Sequence, residues 1–414
     1  MKKIIILGGN PETGHIVEIA NAMNLYTIVL DPNPKSPSKK FAAKSYDIDV
    51  TNLDAVDIII KNEKVDGVLV GVADPLVNFY HKICKRNDLY CYTNDKSIWA
   101  LTSKSNFSKK CLEYNISIIP NHNIKYYSEV EIENLDFPVV VKPVDSGAGV
   151  GISICQNPIE LKNGIFKALE ISKSKEVLIE KFMQCDDIFV YYTFVEGQPY
   201  ISALADRFKT NKQGELSSVC LAAEYPSKYT ERFVSLVHPK LIKMFEDLQI
   251  TNGVLCIQFF VDNDDFYAYD PGFRLQGEAP HLYLKHLNYF DHREMLINFA
   301  LSGKMYEENF LQLNDFRFKN KFATTLWILL NAGKIGSIRG LELIESHPNV
   351  IAVVQRFEVG DLVTSEMIGT ERQVFARIYT VSESKAESAE LIKFIRRTLF
   401  INDDLARDMV LDWH

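Results

Sequence analysis

The sequence has little cysteine and no cysteine pattern that would indicate a cross-linked scaffold. Seven cysteines are scattered over 414 residues, and no two of them form a Cys-x-x-Cys motif. An odd and dispersed set predicts neither a disulfide framework nor a zinc site. We therefore expect the thiols to be reduced, and we predict a cytoplasmic location.

Long hydrophobic runs and excess positive charge are also missing. The opening Met-Lys-Lys precedes only the short apolar run Ile4–Leu7, which cannot serve as the apolar region of a signal peptide. No apolar run approaches the ~20 residues needed to cross a bilayer. The net charge of −8 argues against a protein whose main task is to bind nucleic acid or an anionic membrane. We predict no membrane partner and no nucleic-acid partner.

Residues 1 to about 95 alternate strand and helix patterns in the order β-α-β-α-β. This order predicts a small parallel sheet of the Rossmann-like type. The turn from Gly8 to Gly14 lies where doubly wound folds bind ligands, and Asp31 ends the second strand, where such folds often hold a ribose. Two interpretations stay open, a dinucleotide site and a tight turn against a helix, because the Gly-x-Gly-x-x-Gly motif is absent.

A glycine-rich loop between two strand patterns dominates the middle of the chain. A buried strand, Val139–Val141, leads into Lys142, and glycines at 147, 149 and 151 precede a second strand from Ile152 to Cys155. Glycine permits positive φ and close approach, so the exposed amides of such a loop can hold anionic oxygens. No Gly-Lys-Ser/Thr or following helix is present, which excludes a Walker A loop. We predict a hairpin with a phosphate-binding tip; a plain hairpin turn is the alternative.

Two polar residues predict a metal site further along the chain. Gln258 and Asp270 lie on consecutive strands, Gly253–Asp262 and Phe266–Asp270, that a short turn connects. One amide oxygen and one carboxylate suit Mg²⁺, which completes its shell with phosphate and water. Arg274 follows and can pair with the same oxyanions. The alternative is that Gln258 faces water and Asp270 caps a turn.

Three further stretches of the chain carry clear element patterns. The stretch from Thr93 to Asn115 predicts a lysine-rich amphipathic helix, and Ile188–Phe194 and Tyr200–Ala205 predict antiparallel neighbouring strands. Near the C-terminus, Arg339 is either an anchor for a substrate carboxylate or a surface arginine.

In this order and spacing, these features resemble the ATP-grasp superfamily over nearly the whole chain. The resemblance implies an α/β and α+β fold class, namely an ATP-grasp fold with an N-terminal Rossmann-like preATP-grasp domain and a C-terminal α+β lobe. The implied divisions are a Rossmann-like domain (1–95), a helical linker (96–119), a small lobe with phosphate lid and adenine hinge (120–205), a large lobe with the metal site (206–320) and a C-terminal α+β region (321–414).

The resemblance also implies roles for individual residues. ATP phosphates would be bound by two lysines and the lid, namely Lys104, Lys142, Ser146, Gly147, Ala148 and Gly149. Adenine would be bound by the hinge residues Glu180, Lys181 and Met183, and the ribose by Asp187. The metal ligands would be Gln258 and Asp270, with Mg²⁺ as the ion and Mn²⁺ as an alternative. Lys142 and Arg274 would act in catalysis.

Three departures from the family pattern accompany these matches. Ser103 stands where an acidic residue usually precedes the linker lysine, Asp270 stands where glutamate is usual, and Gly272 replaces an asparagine ligand. Gln258 at the first metal position resembles carbamoyl phosphate synthetase.

The activity implied by the resemblance is an ATP- and Mg²⁺-dependent ligase that joins a small-molecule carboxylate to an amine. The C–N bond would form through an acyl phosphate, with ADP as product, and a homodimer is expected. A catalytically degenerate ATP-binding module with a regulatory or scaffolding role is the alternative. An oxidoreductase that binds a nicotinamide cofactor at the N-terminal turn is a third hypothesis.

Overall fold

The computed structural model describes residues 1–124, 135–144, 151–183, 185–210, 219–263, 265–305 and 310–411. The helices are α1 Pro11–Ala22, α2 Leu53–Glu63, α3 Val77–Arg86, α4 Asp95–Leu101, α5 Lys104–Glu113, α6 Pro158–Ile171, α7 Thr230–Leu236, α8 His238–Asp247, α9 His281–Tyr283, α10 His292–Ser302, α11 Phe310–Leu313, α12 Leu341–Glu345 and α13 Lys385–Thr398. The strands are β1 Lys3–Leu7, β2 Tyr26–Leu30, β3 Lys44–Tyr46, β4 Gly67–Val70, β5 Asn121–Ile124, β6 Val139–Pro143, β7 Ser153–Cys155, β8 Val177–Lys181, β9 Asp186–Val195, β10 Gln198–Lys209, β11 Cys220–Tyr225, β12 Gly253–Asp262, β13 Asp265–Gly272, β14 Phe322–Leu329, β15 Gly333–Arg339, β16 Val350–Gln355, β17 Leu362–Val363, β18 Val374–Ser382 and β19 Phe400–Asp403. Helices and sheets are both substantial, so the predicted mixed class is confirmed.

The N-terminal strands form the predicted parallel sheet, in the order β3-β2-β1-β4. Residues 4–7 of β1 are fully buried, as expected for a parallel strand covered on both faces. Helix α1 begins after Asn10, whose side chain accepts a hydrogen bond from the Thr13 amide, and Pro11 occupies its first turn. This cap fixes the β1–α1 turn against the sheet edge.

A second, antiparallel sheet contains the glycine-rich hairpin. Its strand order is β5-β8-β6-β7, and α6 packs against it over a small apolar core of its own. The β6–β7 pairing confirms the predicted hairpin, with Val139 opposite Cys155. Its tip, including Ser146, Gly147, Ala148 and Gly149, lies outside the described residues. Gly151 has φ +80°, and a Cβ there would meet Pro143 at 2.8 Å, so this position requires glycine.

The largest sheet is antiparallel and has eight strands in the order β13-β12-β9-β10-β11-β14-β18-β16. The predicted division between residues 205 and 206 falls inside β10, which pairs with both β9 and β11. The sheet also includes β14, β16 and β18 from the region predicted as a C-terminal lobe. Strand patterns indicate where strands occur but not which strands pair, so the domain limits remain predictions.

The linker differs from the sequence expectation. The stretch predicted as one helix is two, α4 and α5, because Thr102 and Ser103 leave the helical conformation. The Ser103 side chain accepts a hydrogen bond from the Asn106 amide and caps α5, so Lys104 is the first residue of that helix. Among the helices that the structure describes, none combines the length and the apolar character required to span a bilayer.

Candidate active site

The small lobe contributes a close ion pair, Lys142 with Glu180. Strands β6 and β8 are antiparallel with Val140 opposite Glu180, so Lys142, two residues on, projects from the same face. Lys142 Nζ lies 2.5 Å from Glu180 Oε2, and the two side chains are only 13% and 11% exposed. Burial lowers the pKa of Lys142, the Glu180 carboxylate opposes this effect, and the positive charge of Lys104 adds to it. Lys142 is therefore a desolvated cation that one carboxylate stabilises.

Helix α5 and strand β13 form the opposite wall. Lys104 Nζ lies 3.3 Å from Asp270 Oδ1, and the Ala268 amide donates a hydrogen bond to the Ser117 carbonyl oxygen at 2.9 Å. A cavity of about 180 Å³ separates this wall from the small lobe, and its lining includes Lys104, Lys142 and Glu180. The two predicted phosphate-binding lysines therefore face the same space.

The predicted metal pair is brought together on adjacent strands. Gln258 lies opposite Asp270 in the β12–β13 register, next to a bulge that makes Tyr269 the extra residue. The Gln258 Oε1 atom accepts hydrogen bonds from the Tyr269 hydroxyl at 2.7 Å and from Arg207 Nη1 at 3.2 Å. Within the described ranges, no group of three or more His, Cys, Asp or Glu side chains could enclose a metal ion. The two oxygen donors fit a cation that phosphate oxygens also coordinate.

Asp187, the predicted ribose ligand, lies on the same face of the sheet but has several partners. Its carboxylate is 4% exposed and forms ion pairs with Arg207, at 3.4 Å, and with Lys209. The Tyr269 hydroxyl, whose one proton Gln258 and this carboxylate share, lies 3.0 Å from Asp187 Oδ1. A ribose would have to compete with these donors, so the ribose role of Asp187 remains a prediction.

The hinge residues follow directly from β8. The Lys181 amide donates to the Pro120 carbonyl oxygen at 3.0 Å, and the Phe182 amide donates to that of Pro138 at 3.2 Å. These bonds hold the segment that leads to Met183, which is half-buried, at the end of the strand that carries Glu180. The Glu180 side chain pairs with Lys142 and does not point to a free strand edge where adenine could bind. The adenine role of these residues therefore remains a prediction.

Arg274 lies further along the loop after β13 and is tied to the N-terminal sheet. Arg274 Nη2 is 2.5 Å from Asp74 Oδ2, and Nη1 donates to the Gln276 side chain at 3.0 Å. A Cβ at Gly272 would lie 3.1 Å from Gln276 Nε2. At the position where the superfamily pattern has asparagine, a larger side chain would therefore require the Gln276 side chain to shift.

A second polar region, which no sequence pattern indicated, lies toward the β16–β18 edge of the large sheet. Arg356 and Arg377 both donate to Glu12 Oε1, the latter at 2.9 Å. Burial alone would raise the pKa of Glu12, but these two guanidinium groups hold it at about 2. The Nε atom of Arg377 and the hydroxyl of Tyr379 are buried and have no hydrogen-bond partner within the described part of the chain. Buried polar groups without a partner are uncommon, and a bound water, ion or ligand is one explanation for them.

The structure gives the positions of the N-terminal turn and of Arg339, for each of which the sequence allows two interpretations. The N-terminal turn is filled, because a Cβ at Gly9 would lie 2.3 Å from Ser36 Oγ and 2.5 Å from Asp31. Asp31 accepts hydrogen bonds from the Asn33 amide, at 2.9 Å, and from the Ser36 hydroxyl. The geometry therefore favours a tight turn over a dinucleotide site. Arg339 is exposed on β15 with its guanidinium 5.8 Å from the Phe400 ring centroid.

Known proteins match this chain in sequence as well as in structure. The family model "D-ala D-ala ligase C-terminus" matches residues 116–267. The chain is 25% identical over 298 residues to the carbamoyl phosphate synthase large chains of Thermotoga maritima and Thermotoga petrophila. That match covers 67% of this chain and 27% of each relative, so the chain spans about a quarter of their length.

Solved structures resemble the chain over almost its whole length. An L-amino acid ligase from Bacillus licheniformis has a TM-score of 0.80 at 17% identity, and the match covers 98% of this chain and 99% of the ligase chain. A phosphoribosylglycinamide synthetase from Anaerococcus prevotii has a TM-score of 0.76 at 16% identity, and the match covers 97% of this chain and 100% of the synthetase chain. The biotin carboxylase domain of a Hydrogenobacter thermophilus 2-oxoglutarate carboxylase has a TM-score of 0.78 at 15% identity. This match covers 99% of the present chain and 91% of the carboxylase domain chain. The chain therefore has the fold of these ATP-grasp structures, and its central residues 116–267 match the D-ala D-ala ligase family model, in line with the resemblance noted in the sequence.

Proposed function

We propose that the chain is an ATP- and Mg²⁺-dependent ligase that joins a small-molecule carboxylate to an amine and releases ADP and phosphate. The observation that carries the proposal is the convergence of Lys104 and Lys142 on one cleft, each beside a carboxylate. Two cations with exchangeable anionic partners are suited to a triphosphate. The names of the solved relatives, which include an L-amino acid ligase, support a C–N bond as the product.

The proposed reaction has two steps. A carboxylate oxygen attacks the γ-phosphorus, ADP leaves, and an acyl phosphate forms. The amine nitrogen then attacks the acyl carbon, phosphate leaves, and the nitrogen loses a proton. A magnesium ion held by Gln258 and Asp270 would supply further neutralisation of phosphate charge.

The residues of the chain contribute mainly position and charge. Phosphoryl transfer requires alignment and charge neutralisation more than covalent catalysis. Lys142 is desolvated and held by its pair with Glu180, so it needs little reorganisation to stabilise developing negative charge. Lys104 extends from the start of α5, where the helix dipole also favours an anion. Arg274, whose guanidinium contacts Asp74 and Gln276, would bind an oxyanion if substrate displaced these partners.

The second polar region is our candidate for substrate recognition. Arg377 and Arg356 lie on β18 and directly after β16, at the far edge of the large sheet, and Glu12 comes from α1 of the N-terminal sheet. The buried Arg377 Nε and Tyr379 hydroxyl are donors suited to a carboxylate. This region would therefore bind the substrates, while the cleft at Lys142 would bind the nucleotide.

The test is release of phosphate from MgATP by the full chain. Pools of amino acids and other small acids are assayed with and without amines, and hydroxylamine is included to trap acyl phosphate as hydroxamate. We expect phosphate release that depends on both a carboxylate and an amine, together with hydroxamate formation. The absence of both with every pool, despite ATP binding, would contradict a ligase.

Gly272 and the occupied Gln258 oxygen favour a second candidate, a module that binds nucleotide without turnover. Both candidates predict thermal stabilisation by MgATP, which at 100 times the dissociation constant amounts to about 2.7 kcal/mol. Only the ligase predicts phosphate release. Stabilisation by NAD(P) alone would instead support the oxidoreductase hypothesis.

A further inference from the structure

A pair of cysteines beside a histidine lies outside the proposed ligase machinery. Cys91 is partly exposed and follows helix α3. Its sulfur lies 3.1 Å from the Thr93 hydroxyl and 3.8 Å from His81 Nδ1. Thr93 Oγ1 is also 3.0 Å from His81 Nδ1. A thiol, a hydroxyl and an imidazole therefore share one small polar pocket.

The orientation of His81 is fixed from its other side. His81 Nε2 lies 2.9 Å from Asp95 Oδ1, and Lys85 Nζ is 2.9 Å from the second oxygen of that carboxylate. An ionised carboxylate only accepts hydrogen bonds, so Nε2 carries the proton and Nδ1 is the acceptor. The acceptor nitrogen faces Cys91. Cys91, His81 and Asp95 thus repeat the order of nucleophile, base and orienting carboxylate that activates thiols in enzymes.

Cys84 supplies a second thiol to the same pocket. It follows His81 by three residues on α3, so both side chains lie on one face of the helix. Cys84 is fully buried, and its thiol is near enough to Cys91 for each thiol to influence the pKa of the other. The neighbouring Cys84 thiol, aided by Thr93 and His81 and opposed by burial, lowers the pKa of Cys91 to about 6, whereas burial raises that of Cys84. Among the described residues, the phenols of Tyr80 and Tyr92 also interact with the two thiols, and burial keeps both phenols neutral.

We propose that Cys91 is a redox-reactive thiol that hydroperoxides oxidise and that Cys84 then captures in a disulfide. The Cys91 thiolate attacks one peroxide oxygen, the O–O bond breaks, and a proton allows water or an alcohol to leave. Sulfur loses two electrons and becomes a sulfenic acid. The Cys84 thiol then attacks this sulfur, a second water leaves, and an S–S bond closes. His81 accepts the Cys91 proton in the first step and is a positioning and proton-accepting group.

The pocket is joined to the loop that carries Arg274. Tyr92, next to Cys91 in the chain, donates its hydroxyl to the Phe273 carbonyl oxygen at 3.3 Å, and the two rings pack edge to face at 5.2 Å. A disulfide at Cys91 would form at the residue next to Tyr92 in the chain. A resulting change in ligase activity rests on the proposed function, but the oxidation itself does not, and the experiment reads the two separately.

The test is mass spectrometry of the full chain treated with a small molar excess of hydrogen peroxide. Trypsin cleaves at Lys85 and Arg86, between the two cysteines, so a disulfide would link the peptides Ile83–Lys85 and Asn87–Lys96. We expect this linked pair in the oxidised, unreduced sample and its loss after reduction. Without peroxide, iodoacetamide at pH 7 should modify Cys91 at least about 10-fold faster than Cys185, because burial raises the pKa of Cys185 to about 11.

Variants separate the roles of the three side chains. Cys84→Ser should stop the reaction at the sulfenic acid, which dimedone captures at Cys91. His81→Asn should slow oxidation about 10-fold or more while leaving the linked product possible. Two results on the wild-type chain would overturn the proposal, whether or not any variant folds. One is faster alkylation of Cys185 than of Cys91, and the other is the absence of linked peptides after peroxide treatment. Failure of the ligase assay would leave these readouts intact.

Discussion

Lys104 Nζ lies 3.3 Å from Asp270 Oδ1, a contact that joins the first residue of α5 to the strand that carries one of the two proposed metal ligands. On the facing lobe, Lys142 pairs in the same way with Glu180 at 2.5 Å. Each of the two lysines that we propose to bind phosphate therefore has a carboxylate as its partner. A triphosphate would take over these contacts, and Asp270 would be released to bind the accompanying cation.

Lys142→Ala should lower turnover by about 10²-fold or more, because it removes one preorganised charge-stabilising donor. The measurement is steady-state phosphate release with the best substrate pool. Lys167→Ala, at an exposed position of α6 in the same lobe, is the matched control and should retain full turnover. Equal turnover of the Lys142 variant and wild type would contradict the site assignment.

Glu180→Gln should destabilise the small lobe, because it leaves the desolvated Lys142 without its counterion. Removing one partner of a largely buried charged hydrogen bond costs about 1 to 3 kcal/mol. Urea unfolding, followed by a probe in this lobe, measures the loss. Glu170→Gln changes an exposed glutamate of α6 and should have almost no effect. Unfolding midpoints that are the same for both variants would show that the pair contributes nothing.

Ser103→Ala should cost about 1 kcal/mol of stability, because it removes the side chain that caps α5. It should also weaken binding of MgATP, since Lys104 is the first residue of that helix and its position depends on the cap. Ser103→Asp retains a capping oxygen and should restore both properties. The prediction fails if the alanine variant unfolds and binds like wild type.

Glu12 makes the folded state sensitive to acid. Its pKa falls from 4.5 to about 2 on folding, because Arg356 and Arg377 outweigh the cost of burial. A carboxyl with a lowered pKa stabilises the fold above its unfolded pKa, by about 3 kcal/mol here, and loses this contribution as the pH falls toward 2. Glu12→Gln should therefore flatten the dependence of unfolding free energy on pH between about 5 and 2. Glu18→Gln, at an exposed position of the same helix, should leave the slope unchanged.

The sequence predicts local elements well because their periodicity and turn residues are local properties. The parallel sheet, the β6–β7 hairpin and the opposed residues Gln258 and Asp270 are all found in the structure. The strand pattern predicts an end at Ala205, whereas β10 continues to Lys209, so the pattern does not identify Arg207 and Lys209. Their alternation on that strand is the signal that could have identified them.

Contacts between distant segments could not be predicted in the same way. Arg274 is four residues beyond Asp270, yet its main partner is Asp74 of the N-terminal region. Glu12 and Arg377 are separated by 365 residues. Neither charge patterning nor spacing indicates such pairs, because they depend on how the sheets pack. Ser103 departs from the superfamily pattern, and only the geometry shows that it caps α5.

Isothermal titration of a non-hydrolysable ATP analogue with Mg²⁺ tests the central claim most directly. The wild-type chain should bind one equivalent, and Lys104→Ala and Lys142→Ala should each weaken binding at least about 10-fold, equivalent to about 1.4 kcal/mol. Lys167→Ala should bind like wild type. No binding by wild type, or unchanged affinity in both cleft variants, would contradict a nucleotide site between these lysines.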